Sequence, residues 1–291
     1  MKFEGVIPAL VTPIKDGKLD VPNLEKLIED LLAEGADGFY VGGGTGEGVT
    51  ISFDLHKEVT RESIRIIAHR VPVIVHVARI NYEEMIALAK HAEAMGADCV
   101  SAVPPFFYPY NEEEIYAYYK GLCDSVKIPV MIYNSPLAAV NLSLDLLERL
   151  FKIPNLTAIK WTNYNYYTVF QFKARVPDAN VINGPDELAM LGLAAGCDGC
   201  IGTTYNIQFS RIKGIYNALK EGRVEDARRL QAEADKIIAV LCSVNALKAT
   251  KIVLKKRGYG PVEQVFPFLP LSEEEEEKLF AALREAGLEN V

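Results

Sequence analysis

Two periods of apolar residues alternate along this chain. Short β-branched runs recur at VIPALVTP (6–13), GFYVGG (38–43), PVIVHVA (72–78), CVSAVPP (99–105), PVMIYN (129–134), TAIKWT (157–162), NVINGP (180–185) and GCIGTTYN (199–206). Between them, segments such as NLEKLIEDLLAEG and NYEEMIALAKHAEAMG place apolar residues three and four apart, as a helix with one buried face requires. The joints repeat as well. Gly35-Ala36-Asp37-Gly38, Gly96-Ala97-Asp98-Cys99 and Gly196-Cys197-Asp198-Gly199 each close a helix and open a strand, with glycine free to take the left-handed conformation that ends a helix. Eight such units in about 220 residues predict an α/β fold, a (β/α)8 barrel. An open doubly wound sheet is the alternative, but no GxGxxG or P-loop favours it.

After Asn206 the strand signals stop. RIKGIYNALKEG, VEDARRLQAEADKIIAVLC, NALKATKIVLKKRG and SEEEEEKLFAALREAG all carry the helical period. The division expected is a catalytic barrel over 1–222 and a helical C-terminal extension over 223–291. The glutamate run at 273–277 follows Ser272 and is read as a capped helix start rather than an acidic tail.

Charge narrows the partners. A net charge of −8 with no block of Lys or Arg argues against nucleic acid and anionic membrane, and leaves a small molecule or another protein. The N-terminal apolar stretch is broken by Pro8 and Pro13, too short for a signal peptide or membrane span, so a cytoplasmic location is expected. The five cysteines are read as reduced core residues. Cys197 and Cys200 form a CxxC with no second pair, and the four histidines show no ligand spacing, so no metal is expected.

In a barrel of this kind the chemistry sits at the C-terminal ends of the strands. There the sequence places GGGTGE (42–47), Tyr133-Asn134, Lys160 and Thr162, Gly184-Pro185-Asp186-Glu187, and Gly202-Thr203-Thr204-Tyr205. Lys160 is either a solvated lysine or an amine withdrawn from water, where the free base that attacks a carbonyl is favoured. Tyr133 either packs or shuttles the protons of imine formation. GGGTGE is a plain βα turn, or a set of unobstructed N–H groups with the Thr45 hydroxyl, suited to a small carboxylate. A carboxylate beside an imine-forming lysine describes an α-keto acid.

The combination GGGTGE, YNSP (133–136), IKWT (159–162), GPDE (184–187) and GTTYN (202–206) resembles the pyruvate-dependent lysine aldolases that include N-acetylneuraminate lyase and dihydrodipicolinate synthase. The similarity runs from residue 6 to the GPVE at 260–263. It implies a barrel with C-terminal helices, usually a homotetramer, and a pyruvyl Schiff base on Lys160. It implies Tyr133 as proton shuttle, the turn at Gly44-Thr45 as holder of the pyruvate carboxylate, and no cofactor. Asp186-Glu187, which read alone are equally an acidic helix start, stand where the lyase branch binds sugar hydroxyls, with Thr162, Gly184 and Thr203 around them. Ala138 stands where the synthase has an arginine. The resemblance therefore implies reversible cleavage of a 2-keto sugar acid. A sister aldolase or dehydratase and a non-catalytic keto-acid-binding barrel are the alternatives. Several departures bear on the choice: Gly44 lacks the usual hydroxyl, Phe107 falls where a neighbouring subunit's relay tyrosine is expected with Tyr108 and Tyr110 as the substitutes, Thr203 stands where the lyase more often has serine, and Trp161, Tyr164, Tyr166 and Tyr167 are bulky.

Overall fold

The computed structural model describes residues 2–136, 138, 140 and 142–291. Eight parallel strands form its centre: β1 (Gly5–Pro8), β2 (Phe39–Val41), β3 (Val73–His76), β4 (Cys99–Ala102), β5 (Val130–Asn134), β6 (Leu156–Trp161), β7 (Asn180–Asn183) and β8 (Gly199–Gly202). They pair in chain order from β2 to β8, β8 pairs with β1, and a bridge between Ala9 and Tyr40 closes β1 on β2. The expected barrel is present. A two-stranded hairpin at Ile14–Lys15 and Lys18–Leu19, too short to leave a periodic signal, precedes the first helix.

The apolar runs overshoot most of the strands at their C-terminal ends. VIPALVTP leaves the sheet after Pro8, and GCIGTTYN after Gly202, its last residues already entering a helix that begins at Tyr205. These residues are apolar or small because they form the barrel's rim, which is buried without being strand.

Helices α1 (Val21–Ala33), α2 (Phe53–Ile67), α3 (Tyr82–Met95), α4 (Glu112–Ser125), α5 (Leu144–Leu150), α6 (Tyr166–Arg175), α7 (Ala189–Ala194) and α8 (Tyr205–Lys220) surround the sheet. Their ends are chemically marked. Asn111 and Glu114 form a reciprocal capping box on α4, and Ser272 and Glu275 do the same for the last helix, which settles the glutamate run as a helix start. Gly35, Gly96 and Gly196 all take φ above +90°, as the joint repeat requires.

Two cores follow from the period of two along each strand. Ile7, Tyr40, Ile74, Cys99, Met131, Ala158, Ile182 and Ile201, one from each strand, point into the barrel and pack together over Phe3. The alternate residues, including Ile159 and Trp161, face the helices. Residues two places beyond the inward set therefore form the next layer up, and that layer is polar: His76, Ser101, Tyr133 and Lys160.

Helices α9 (Val224–Val244), α10 (Ala246–Lys256) and α11 (Glu273–Glu285) follow the barrel, with α9 packed along α8. Among the described residues no single helix is long and apolar enough to cross a membrane. Cys99, Cys123, Cys197 and Cys200 are buried as expected, but Cys242 on α9 is exposed and corrects that expectation.

Candidate active site

The inward alternation delivers the two chemical groups. Tyr133 and Lys160 are register partners on β5 and β6, each two residues beyond a barrel-filling side chain. Lys160 is 6 % exposed, and its Nζ lies 4.2 Å from the ring centre of Tyr133 and 4.9 Å from that of Tyr40. No carboxylate forms an ion pair with Lys160 among the described residues. Burial raises the pKa of the Tyr133 phenol, but the Lys160 charge and hydrogen bonding from Ser135 and Lys160, with the near approach of Thr162, outweigh it and hold the phenol below its ordinary value. Thr162 Oγ1 is buried, and the group it approaches is the Tyr133 phenol.

Tyr40 and Ser101 were not singled out by the sequence, and His76 drew notice only as a histidine without metal-ligand spacing. The Tyr40 hydroxyl donates to Ser101 Oγ at 3.0 Å, and Tyr40 and His76 meet the Tyr133 ring edge-on at 6.1 and 5.9 Å. His76 is buried, and burial, with the nearby His56 and Lys160, lowers its pKa to about 3. It is therefore neutral at physiological pH and adds no charge behind the lysine. The available signal was its position: His76 stands two residues after Ile74, in the same upper layer as Lys160.

Beyond β2 the chain turns through Gly42–Gly48. Gly42 has φ +68° and its α-hydrogen faces His56 so closely that a Cβ would lie 2.2 Å from Nε2, so no other residue fits. The amides of Gly44 and Thr45 donate to no protein acceptor among the described residues. Gly44 is exposed, and a Cβ there would meet nothing within 4 Å. The missing hydroxyl thus leaves open space rather than a crowded gap. Thr45 is buried, and its hydroxyl hydrogen-bonds that of Thr203 at 2.6 Å, joining the turn to the rim after β8.

On the other side of Thr203 lies a cavity of about 200 Å³. Thr162, Gly184, Asp186, Glu187 and Thr203 all line it, together with Pro136, Tyr164 and Thr204. The remaining wall is apolar and comes from the C-terminal extension: Ile238 and Cys242 of α9 and Ala246 of α10. Gly184 is required here, because a Cβ would sit 1.9 Å from Thr162 Oγ1. Asp186 and Glu187 open a 3-10 turn, Asp186–Leu188, rather than a capped α-helix. Thr204 donates both its N–H and its hydroxyl to Asp186 Oδ2 at 2.7 Å, and Oδ1 accepts no hydrogen bond among the described residues. Burial raises the Asp186 pKa to about 6 against these hydrogen bonds. Tyr164, though exposed, donates its hydroxyl to Glu187 Oε1 at 2.7 Å.

All the residues expected at the site are therefore at one mouth. Trp161 is not among them, since it points outward into the layer between sheet and helices. Tyr166 is buried beside Asn183, and of the bulky aromatics after Lys160 it is Tyr164 that reaches the cavity. Phe107 is 73 % exposed with φ +86°. Among the described residues no group of three or more His, Cys, Asp or Glu side chains is placed to hold a metal ion.

Comparison with known proteins agrees with this arrangement. The model of the dihydrodipicolinate synthetase family matches residues 2–286. The chain belongs to that family. It is 38 % identical over 277 residues to the N-acetylneuraminate lyase of Citrobacter koseri, covering 91 % of this chain and 93 % of the relative. Its fold matches the crystal structure of CdNal from Clostridium difficile in complex with mannosamine, with a TM-score of 0.94 at 27 % identity over 98 % of this chain and all of that one. It matches dihydrodipicolinate synthase from Aquifex aeolicus almost as well, with a TM-score of 0.93 at 29 % identity over 98 % and 99 % of the two chains. The backbone is common to both branches, so the choice between them rests on side chains at the mouth. Family members of this kind are class I, Schiff-base-forming, pyruvate-dependent lyases.

Proposed function

We propose that this chain is an N-acetylneuraminate lyase, cleaving the sugar acid reversibly to N-acetylmannosamine and pyruvate. The observation that carries the reading is the register pairing of Lys160 with Tyr133 at the same end of the barrel as a cavity bearing Asp186, Glu187, Thr162 and Thr203. The Lys160 amine adds to the C2 ketone of the open-chain sugar and water is lost, giving a protonated imine. Tyr133 takes the proton of the C4 hydroxyl as the C3–C4 bond breaks, and the bond's electrons pass into the imine to form an enamine. The aldehyde, N-acetylmannosamine, departs. Protonation at C3 and hydrolysis then release pyruvate and restore the amine. The imine is the electron sink, so the cycle calls for neither metal nor cofactor. The Gly44-Thr45 amides hold the pyruvyl carboxylate, and Gly184 leaves the space that Thr162 occupies.

The test is borohydride reduction during turnover of N-acetylneuraminate, with peptide mass mapping and a pyruvate assay. A reduced pyruvyl adduct on Lys160 with pyruvate release is expected. Lys160→Ala is expected to fold and to lose turnover by several orders of magnitude; substantial residual lyase activity would refute the imine route.

A second reading has its own observation. Tyr164 covers Glu187 and bounds a cavity of about 200 Å³, below the roughly 300–1,000 Å³ usual for small-molecule sites. That favours a shorter 2-keto sugar acid, and comparing kcat/KM across acids of different chain length separates the two. We further propose a homotetramer acting on small molecules in the cytoplasm, in which the exposed Phe107 and Tyr108 are an apolar surface for a neighbouring subunit to cover. The division at residue 222 falls at Gly222, between α8 and α9.

A further inference from the structure

The cycle above does not use the most deeply buried ion pair among the described residues. Lys251 of α10 is fully buried, Glu47 is 3 % exposed, and the two form a direct salt bridge across 204 residues of sequence. Both members of the pair carry a further hydrogen bond to the strap after α10. Lys251 Nζ also donates to the Glu263 carbonyl at 2.7 Å, and Glu47 Oε1 accepts the Val265 N–H at 3.1 Å.

Glu47 is the last residue of GGGTGE. Its backbone takes the left-handed conformation, φ +55°, which a side chain with a Cβ adopts only under constraint. Its N–H donates to the Gly44 carbonyl at 3.1 Å, while the preceding Gly46 carbonyl accepts the Thr12 hydroxyl at 2.8 Å. The turn that carries the Gly44 and Thr45 amides is thus fixed at its far end by a side chain anchored in the C-terminal extension. An isolated buried charge on either side would be strongly disfavoured, so neither partner has an alternative place to go.

We infer that Lys251 is a positioning residue for keto-acid binding: through Glu47 it holds the Gly44-Thr45 amides in the geometry that receives the carboxylate. This rests on the reading that this turn binds that carboxylate. The contact makes α10 and the strap at 261–265 part of the binding machinery, although they lie outside the barrel.

The test measures the pyruvate concentration that half-saturates borohydride trapping on Lys160, alongside thermal stability, in the full-length chain. Lys251→Met and the milder Glu47→Gln are compared with Lys213→Met, which breaks a salt bridge to Asp37 at 2.5 Å, beside the N-terminal ends of the strands. All three are expected to lower the melting temperature. Only the Lys251 and Glu47 variants are expected to raise the half-saturating pyruvate concentration, by about tenfold to a hundredfold, the scale set by misplacing a binding group by about 1 Å. If Lys251→Met does not fold, Glu47→Gln and the double variant Glu47→Gln/Lys251→Met carry the comparison, because removing both charges spares the unpaired one. Loss of melting temperature with wild-type pyruvate saturation in the folded variants would overturn the inference. Failure of the wild-type chain to trap pyruvate at all would instead overturn the reading of the site.

Discussion

Asp186 shows how much one side chain's surroundings decide. Its Oδ2 is held by Thr204, its Oδ1 accepts no hydrogen bond among the described residues, and burial brings its pKa to about 6. Between about pH 4 and 6 the folded chain retains a proton here that the unfolded chain has lost. The stabilisation from this group is therefore complete below about pH 4 and is lost as pH rises through 6. Substrate binding on the proposed reading runs the other way, because the ionised Oδ1 is purely an acceptor for a sugar hydroxyl, whereas a proton on it weakens that acceptance. KM for N-acetylneuraminate is expected to rise as pH falls below about 6, and Asp186→Asn is expected to remove that inflection; steady-state kinetics across pH 5 to 8 in both proteins decides it. Asp186 was legible as an acidic residue after β7. Its tether was not, since Thr204 approaches it only when β7 and β8 lie side by side. Trp161 illustrates the converse: its bulk next to Lys160 drew notice, yet the period of two along β6 already sends it to the opposite face.

At the scale of elements, the Gly-x-Asp joints do more than end helices. Asp37, Asp98 and Asp198 each receive, through Oδ2, the backbone N–H of the preceding strand, at Val6, Val73 and Val181, over 2.7–2.9 Å. In each case the aspartate's own N–H donates to that same valine's carbonyl. The repeated acid is therefore a clasp between neighbouring strands at the entrance to the barrel, which satisfies donors that the parallel ladder leaves open. Asp98→Ala is expected to cost about 1–3 kcal/mol, the range for leaving a buried N–H unpaired, with little change in kcat, as urea unfolding and kinetics would show. The repeat itself stood in the sequence. Its partners did not, because each is reached across a βα unit of 17 to 31 residues. The strand ends were misjudged for a related reason: an apolar residue on the rim and one in the sheet carry the same signal when both are buried.

For the whole molecule, the C-terminal helices are the part whose purpose composition conceals. Their periodicity announces helices and nothing more. In the fold they supply the apolar wall of the cavity and the counter-charge to Glu47. A chain ending at residue 222 is thus expected to leave Glu47 as an unpaired buried charge and the outer face of α8 uncovered. It should fail to reach the cooperative unfolding transition of the full chain, which circular dichroism would report. The barrel was readable because eight repetitions of one local pattern admit few topologies; the extension was not, because its job is defined by what it touches.

The exposed thiol on α9 gives the cavity a built-in reporter. Cys242 lines the pocket wall, whereas the other four cysteines are buried. Partial burial, with Glu187 and Asp186 nearby, keeps its pKa above the ordinary thiol value, so it reacts slowly near neutrality and faster in mild alkali. A maleimide fluorophore is expected to attach there alone in the folded protein, and pyruvate with N-acetylmannosamine to slow its attachment by covering the wall. The natural chain therefore comes ready for a single-colour occupancy assay with no engineered cysteine.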